Sequence, residues 1–241
     1  LILIVISWLL RFPGSDWQIV NCDVGQGDSM VVNLGDHRAI VIDTGPDPIA
    51  EDRCLHQLGV KTIELLILTH VHADHVGGLD GAIRDRTVVA QWFGNVRAGT
   101  RATFASDRGP VTVDVLWPQG QWADEQISDP NNSSIAIVLR ARDFSLFAGG
   151  DIEPLTQAQI APLVGEVDIY KVSHHGSKFQ DESFTRALSP TISIISVGVG
   201  NSYGQPAPET IQALSAQLHA AQKSLSNPIV KTEVLKELLK P

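Results

Sequence analysis

Short apolar runs alternate with helically spaced segments along most of the chain. Trp17 to Asp23, Ser29 to Leu34 and Arg38 to Ile42 have strand character, and Gly25, Gly27, Gly35 and Asp36 supply turns between them, which predicts an antiparallel meander. Ile49 to Leu58 has helical spacing and stops at Gly59. Glu64 to Thr69 is then a nearly continuous apolar run, the pattern of a strand buried on both faces. The alternation continues with a helix near Leu79 to Asp85 and strands at Val111 to Trp117, Ile135 to Arg140 and Phe144 to Phe147. A helix over Pro154 to Leu163, a strand at Val167 to Val172 and a helix near Glu182 to Leu188 follow. A strand at Thr191 to Val197 and a helix over Pro208 to His219 complete the pattern. Such an order predicts an α/β (α+β) chain whose mixed sheets are covered by helices. Arg97 to Pro110 is the most loop-like stretch, and no internal repeat interrupts the series.

The two ends depart from this pattern. Leu1 to Leu10 reads LILIVISWLL, ten residues without a charge, whereas a membrane-spanning helix needs roughly 17 to 25 apolar residues. A buried edge strand and a signal-peptide core are alternatives, although no basic segment precedes the run and no small-residue cleavage site follows it. We read residues 1–12 as the severed end of a transmembrane helix. A chain that opens at Leu1, with Met30 its only methionine, reads as a piece of something longer. Residues 13–219 form the expected domain, and residues 220–241 a polar helical tail interrupted at Asn227 and Pro228.

With 241 residues and 43% hydrophobic content, the chain can bury one sizeable core. Twenty-seven acidic against eighteen basic side chains leave a formal charge of −9, so no general polycation is available to coat a phosphate backbone. A nucleic-acid partner would need a local patch or a metal. Cys22 and Cys54 cannot build a disulfide framework or a thiolate zinc knot; one bridge between them is possible but nothing signals it, and the redox compartment stays open.

Candidate chemistry concentrates in the histidines. Five of the eight fall in two clusters, each just after an apolar strand. In the first, the strand period puts His70 and His72 on one side, and a tightening turn brings Asp74 and His75 alongside. Imidazole and carboxylate together suit zinc, and also iron or manganese. A polar loop capping a strand is the plainer reading. The second cluster, Ser173 to Ser177, holds His174 and His175 before Gly176; alone it is an ordinary surface turn as readily as a ligand pair. Asp151 follows two glycines after a strand, where it either enters a site or caps the helix beginning at Pro154. In Asp23 to Ser29 the glycines either open backbone amides to an anion or simply make a hairpin turn. Asp43 suits an acceptor that orients metal-binding imidazoles, or a plain turn. Asp28 and Ser177 fall in the adjoining loops with the same two possibilities. His37, His56 and His219 read as surface residues.

These motifs together resemble the metallo-β-lactamase superfamily, whose HxHxDH signature runs here from His70 to His75. More narrowly, DVGQGDS (Asp23 to Ser29), IDTG (Ile42 to Gly45), THVHADHVGG (Thr69 to Gly78) and NNSS (Asn131 to Ser134) resemble the hydrolase-like domain of the ComEC family of DNA-uptake channel proteins. GGDIE (Gly149 to Glu153), SHHGS (Ser173 to Ser177) and NSYG (Asn201 to Gly204) extend that likeness. The resemblance implies an αββα sandwich with two mixed sheets and a metal site at one edge. It implies that His70 and His72 bind a first divalent metal, that Asp74 and His75 bind a second, that Asp151 bridges them, and that His174 completes the second site, with His175 the alternative. The superfamily usually has a further histidine in the loop where this chain has Asn131 to Ser134, so an amide such as Asn132, a water or His175 would have to complete the first site. Gln205 stands where the narrower family often has histidine, and an Arg-Thr-Asp element typical of its closing strand is missing beyond His219.

By the same resemblance the activity is that of a metal-dependent hydrolase with two divalent ions, Zn2+ or Mn2+, and Asp74 as a catalytic residue. The leading expectation is a phosphodiesterase or nuclease acting on DNA, in single strands, during uptake in natural competence. Its partners would be that DNA and the membrane channel portion of the parent protein, with no nucleotide cofactor. The domain would be membrane-attached and extracytoplasmic. Lys171, Lys178, Arg97 and Arg101 are candidate cations for attracting the substrate. Hydrolysis of a small ester, lactone or lactam, and a non-catalytic domain that binds DNA or gates the channel, are the competing readings.

Overall fold

The computed structural model describes residues 13–14, 16–119 and 129–224, with side chains of the last helix described to residue 217. The expected membrane-helix end at residues 1–12 and the tail beyond residue 224 lie outside the described residues. Among those described, no helix is long and apolar enough to cross a membrane.

The described strands form two six-stranded mixed sheets. In the first sheet, β1 (Ile19–Asn21), β2 (Met30–Gly35) and β3 (Arg38–Ile42) make the antiparallel meander expected from the pattern. Then β4 (Thr62–Ile67) lies parallel to β3, and the short strands β5 (Thr87–Val88) and β6 (Gln91–Trp92) both pair in parallel with β4. The second sheet begins at its edge with β7 (Arg101–Phe104), followed by β8 (Val111–Trp117), β9 (Ala136–Arg140) and β10 (Ser145–Ala148), all antiparallel neighbours. It continues through β11 (Ile169–Lys171) and β12 (Ile192–Ile194), which add in parallel.

Alternation along each strand sorts the side chains into three apolar layers. Met30, Val32, Leu34, Ile40, Ile42, Leu65 and Ile67 of the first sheet meet Val113, Val115, Ile137, Leu139, Leu146 and Ala148 of the second, forming the inter-sheet core. The opposite face of the first sheet, with Val31, Ala39, Val41 and Leu66, is covered by α1 (Pro48–Gln57) through Leu55 and by α3 (Leu79–Ala82) through Ala82. The outer face of the second sheet, with Val138, Phe147 and Tyr170, is covered by α4 (Pro154–Val164), α5 (Glu182–Leu188) and α6 (Pro208–Ser224). The result is the four-layer αββα sandwich.

One local expectation changes, and one question left open by the sequence is answered. The segment read as loop from Arg97 to Pro110 contains β7, paired with β8 from Arg101↔Asp114 to Phe104↔Val111. As an edge strand exposed on alternate residues, β7 needs no apolar run, so its sequence carries no strand signal. Cys22 and Cys54 form a disulfide that ties the end of β1 to α1.

Candidate metal centre

All the chemistry-bearing loops leave the carboxyl ends of parallel strands at one edge of the sandwich. Asp43 follows β3, His70 to His75 follow β4, Asp151 follows β10, His174 and His175 follow β11, and Ser196 follows β12. That edge is where open α/β sheets place their ligands.

The first histidine cluster turns sharply into α2 (Ala73–Val76), a single helical turn. His70 is buried, His72 is exposed, and His70 Nε2 lies 3.0 Å from His72 Nδ1. Asp43 orients the group from behind. Its Oδ1 accepts from the Thr69 amide at 2.7 Å, and its Oδ2 accepts from Thr69 Oγ1 at 2.8 Å and from His75 Nδ1 at 2.9 Å. With its Nδ1 proton committed to Asp43, His75 aims Nε2 forward, 3.2 Å from Asp151 Oδ1.

Asp151 reaches this position because Gly150 turns left-handed (φ 54°), where an added Cβ would lie 2.5 Å from Thr69 Oγ1 and 2.8 Å from Thr69 Cβ. Its amide donates to Ser134 Oγ at 3.2 Å. The two carboxylate oxygens then face different histidines. Oδ1 lies 3.2 Å from His75 Nε2 and 3.7 Å from His175 Nε2, whereas Oδ2 lies 3.9 Å from His70 Nε2 and 3.8 Å from His174 Nε2.

The split between His174 and His175 has a backbone cause. Both adopt left-handed conformations (φ 50° and 52°), strained for residues with a Cβ, and this sends consecutive rings to opposite sides of Asp151. His175 is buried, with Nε2 3.2 Å from Asp74 Oδ2 and Nδ1 donating to the Ser196 carbonyl at 3.0 Å. His174 is half-buried, and its Nδ1 lies 3.2 Å from Glu153 Oε1. Geometry therefore puts His175, the alternative, beside Asp74 and His75, and puts His174 on the side of His70.

Two groups able to hold a cation emerge among the described residues: Asp74, His75, Asp151 and His175, and beside them His70, His72 and Asp151. The donor set fits a divalent ion on an observation of its own. His75 Nε2 and Asp151 Oδ1 are both buried and face each other, yet neither has a hydrogen-bond partner, a costly arrangement unless a third species satisfies them. A third group, Asp28, Asp43 and His75, lies wholly inside the protein behind the first two.

Charge in the centre is tightly balanced. Burial pushes His70 down to about 3, so its imidazole is neutral. Burial alone would also depress His75 and His175, but Asp151 and Asp43 hold His75 well above the ordinary imidazole range, and Asp28 with Asp74 and Asp151 lifts His175 to about 10. Burial favours the neutral form of Asp151 too, and the surrounding His75, His175 and His70 outweigh it, holding the carboxyl well below the carboxylate range. For Asp74, burial is overcome by the hydrogen bond from His175, and its pKa falls.

The remaining predicted residues have structural partners. The Asn132 amide is consumed by the Glu153 amide at 3.1 Å and Asp129 at 3.0 Å, so it does not join the cluster. Ser177 Oγ accepts from the Phe179 amide at 3.3 Å within the turn. Gln205 braces the site, donating to the His174 carbonyl at 3.1 Å and accepting from Gln26 at 2.9 Å. The glycine loop from Asp23 to Ser29 packs on Asp74. The Asp28 amide donates to the Asp74 carbonyl at 3.0 Å, and Gly27 passes so close to that carbonyl that a Cβ would collide with it.

Lys171 corrects the list of substrate-attracting cations. It is buried, with Nζ 2.7 Å from Asp28, and Asp28 Oδ1 in turn lies 3.2 Å from His175 Nδ1. Arg101 is ion-paired with Asp114 across β7 and β8. Lys178 remains exposed. The sequence reading missed Lys171 and Glu153 as supports of the two histidines; a lysine inside the apolar run Val167 to Val172 was the available signal, because a buried ammonium requires a partner.

A four-layer sandwich with an imidazole and carboxylate cluster at one edge defines a class of metallohydrolase folds. Residues 22–199 match the metallo-beta-lactamase superfamily, and the chain belongs to it. It is 28% identical over 250 residues to ComE operon protein 3 of Bacillus subtilis, covering 87% of this chain and 32% of that protein. It is 28% identical over 237 residues to Recombination protein 2 of Haemophilus influenzae, covering 90% of this chain and 28% of that protein. The chain thus spans about a third of the length of these relatives, which are competence proteins of the ComEC type. Among solved structures, the CmlA beta-hydroxylase E377D mutant superposes with a TM-score of 0.51 at 15% identity, covering 86% of this chain and 51% of that one. A Cronobacter sakazakii metallo-beta-lactamase gives 0.46 at 14% identity, covering 86% of each chain. At 15% identity the likeness to the CmlA structure is one of fold alone.

Proposed function

We propose that this domain is a metal-dependent phosphodiesterase that cuts DNA, in single strands, during its uptake. The observation that carries the reading is Asp151, whose two oxygens are flanked by separate groups of histidines, the arrangement required of a carboxylate shared between two cations. In this reading Asp74, His75, His175 and Asp151 hold one ion, and His70, His72 and Asp151 hold the other with His174 beside them. Bound there, Zn2+ or Mn2+ supplies a water nucleophile at neutral pH and stabilises charge developing on a phosphoryl group.

The protein's own contribution is orientation. Asp43 keeps the His75 proton on Nδ1, and the Ser196 carbonyl with Asp28 keeps the His175 proton on Nδ1, so both Nε2 atoms point into the centre. Glu153 Oε1 lies 3.2 Å from His174 Nδ1 without closing a hydrogen bond to it. Asp74 is the group most open to solvent among those around the second ion, and it is the catalytic candidate.

Likeness to competence proteins supports DNA as the substrate and a membrane channel as the physical context. The Cys22–Cys54 disulfide supports placement on the extracytoplasmic side, because such bonds persist mainly in oxidising compartments. Incubation of the chain with labelled single-stranded DNA and manganese or zinc tests the activity. Cutting by the wild type that is lost in Asp74→Ala is expected. Absence of cutting together with turnover of a chromogenic ester or lactam would sink the reading.

A further inference from the structure

Among the described residues, three phenylalanine, tyrosine or tryptophan side chains are exposed: Phe93 at 37%, Phe179 at 51% and Tyr203 at 74%. Phe179 and Tyr203 sit on loops that touch the centre through the His174 carbonyl, and Phe93 follows the strand beside β4. Phe93 directly follows Trp92, whose carbonyl accepts from the amide of Leu68, two residues before His70. The loops that carry Phe179 and Tyr203 meet at the His174 carbonyl. Ser177, whose hydroxyl caps the Phe179 amide, and Gln205, two residues beyond Tyr203, both donate to the His174 carbonyl, at 2.8 and 3.1 Å. Phe147, Phe184, Tyr170 and Trp117 are buried, and Trp17, Trp92, Phe104 and Phe144 are partly buried.

We propose that Phe93, Phe179 and Tyr203 form a stacking platform for the unpaired bases of single-stranded DNA on either side of the phosphate presented to the centre. This deepens the nuclease reading and rests on it. A strand whose phosphate reaches the histidines must lay its neighbouring nucleotides over the surrounding loops, and these carry the rings. The chain's charge of −9 leaves little general attraction for a phosphate backbone, so base contacts would add affinity that a local patch or the metals alone have to supply otherwise. Stacking on aromatic side chains supplies it without regard to sequence, as a nuclease on entering DNA requires. Lys178 Nζ lies 5.3 Å from the Phe179 ring centroid, which puts a cation beside a stacking face, the pairing that single-strand binders use.

The test is fluorescence anisotropy with a labelled oligo-dT strand in EDTA, where no cutting occurs, against an abasic strand of the same length. The oligo-dT strand is expected to bind more tightly than the abasic one. Phe179→Ala and Tyr203→Ala are each expected to weaken its binding about 5- to 100-fold, with Tyr203→Phe close to wild type. Because the rings are exposed, unchanged melting temperatures will show that these variants fold. Equal binding of the two strands, alanine variants that bind like wild type, or no binding at all overturns the platform; so does ring-dependent binding to anionic lipid vesicles or to a protein without ring-dependent DNA binding. Ring-dependent binding by a chain that cuts no DNA with manganese or zinc leaves the platform standing and removes the nuclease reading. Cutting without ring dependence does the reverse.

Discussion

Lys171 shows how one misplaced charge would propagate into the centre. Its ammonium is buried against Asp28, which also faces His175 Nδ1, so a single carboxylate serves a cation from the second sheet and an imidazole of the cluster. Lys171→Met leaves Asp28 buried with one partner fewer, and a cost of about 3–5 kcal/mol is expected in urea unfolding. Adding Asp28→Asn to that variant is expected to recover a large part of the loss, because the uncompensated charge is gone. Glu51 is the opposite case. It is buried in α1 with neither carboxylate oxygen hydrogen-bonded, and burial pushes its carboxyl up to about 8 from an ordinary 4.5. Below the lower value the group is protonated whether the chain is folded or not. Between the two, only the unfolded chain releases the proton, so wild-type stability falls as pH rises, by up to about 1.4 kcal/mol per pH unit. Glu51→Gln removes this slope. Its stability relative to wild type is expected to increase between about pH 5 and about pH 8.5 in paired urea titrations, and a constant difference would contradict the assignment.

Elements differ in how much of their role the sequence discloses. The first histidine cluster was readable because its four polar side chains fall within six residues, between the end of β4 and the turn of α2, although Asp43 and Asp151 from other segments fix their orientation. The inter-sheet core was readable too, since Met30, Val32 and Leu34 alternate with residues facing the helices. The division of His174 and His175 between the two oxygens of Asp151 was not readable. It depends on two successive left-handed residues, a conformation fixed by the Gly150 carbonyl, Gln205 and Ser196 from three other segments. The edge strand β7 was hidden because half its residues face solvent, and the disulfide because two cysteines 32 positions apart say nothing about whether α1 will pack on the end of β1. That bridge leads to its own expectation. It closes a loop containing β2, β3 and the glycine loop under Asp74, and closing a loop of that length stabilises the fold by about 3–4 kcal/mol in the chain-entropy view. The Cys22→Ala/Cys54→Ala chain is expected to melt several degrees below wild type in calorimetry, and the wild type in reductant to approach it.

For the molecule as a whole, the centre joins the two halves of the sandwich. His70, His72, Asp74 and His75 come from the first sheet, and Asp151, His174 and His175 from the second. In the metal-free protein the surrounding carboxylates favour the charged form of His75 and His175, and those imidazoles in turn favour ionised Asp151 and Asp74. Binding zinc or manganese therefore has to displace imidazole protons. The sign follows directly. Both imidazoles have raised pKa values, so at neutral pH each proton must be removed at a cost that shrinks as pH rises, and apparent affinity increases with pH by up to about tenfold per unit for each proton released. An ion that binds only the folded chain would also stabilise the fold, by about 2.7 kcal/mol at a free concentration 100 times the dissociation constant. Thermal melts with and without Zn2+ or Mn2+ are expected to show a rise in melting temperature that is larger at about pH 8 than at about pH 6. Titration calorimetry in buffers of different ionisation enthalpy is expected to register proton release. If His175 is a ligand, as proposed, both the metal-induced rise and its pH dependence should diminish in His175→Ala, because one proton and one ligand would leave together. A metal-induced stabilisation that does not change with pH, or that survives loss of His175 intact, would mean that the ion sits somewhere other than between the two sheets.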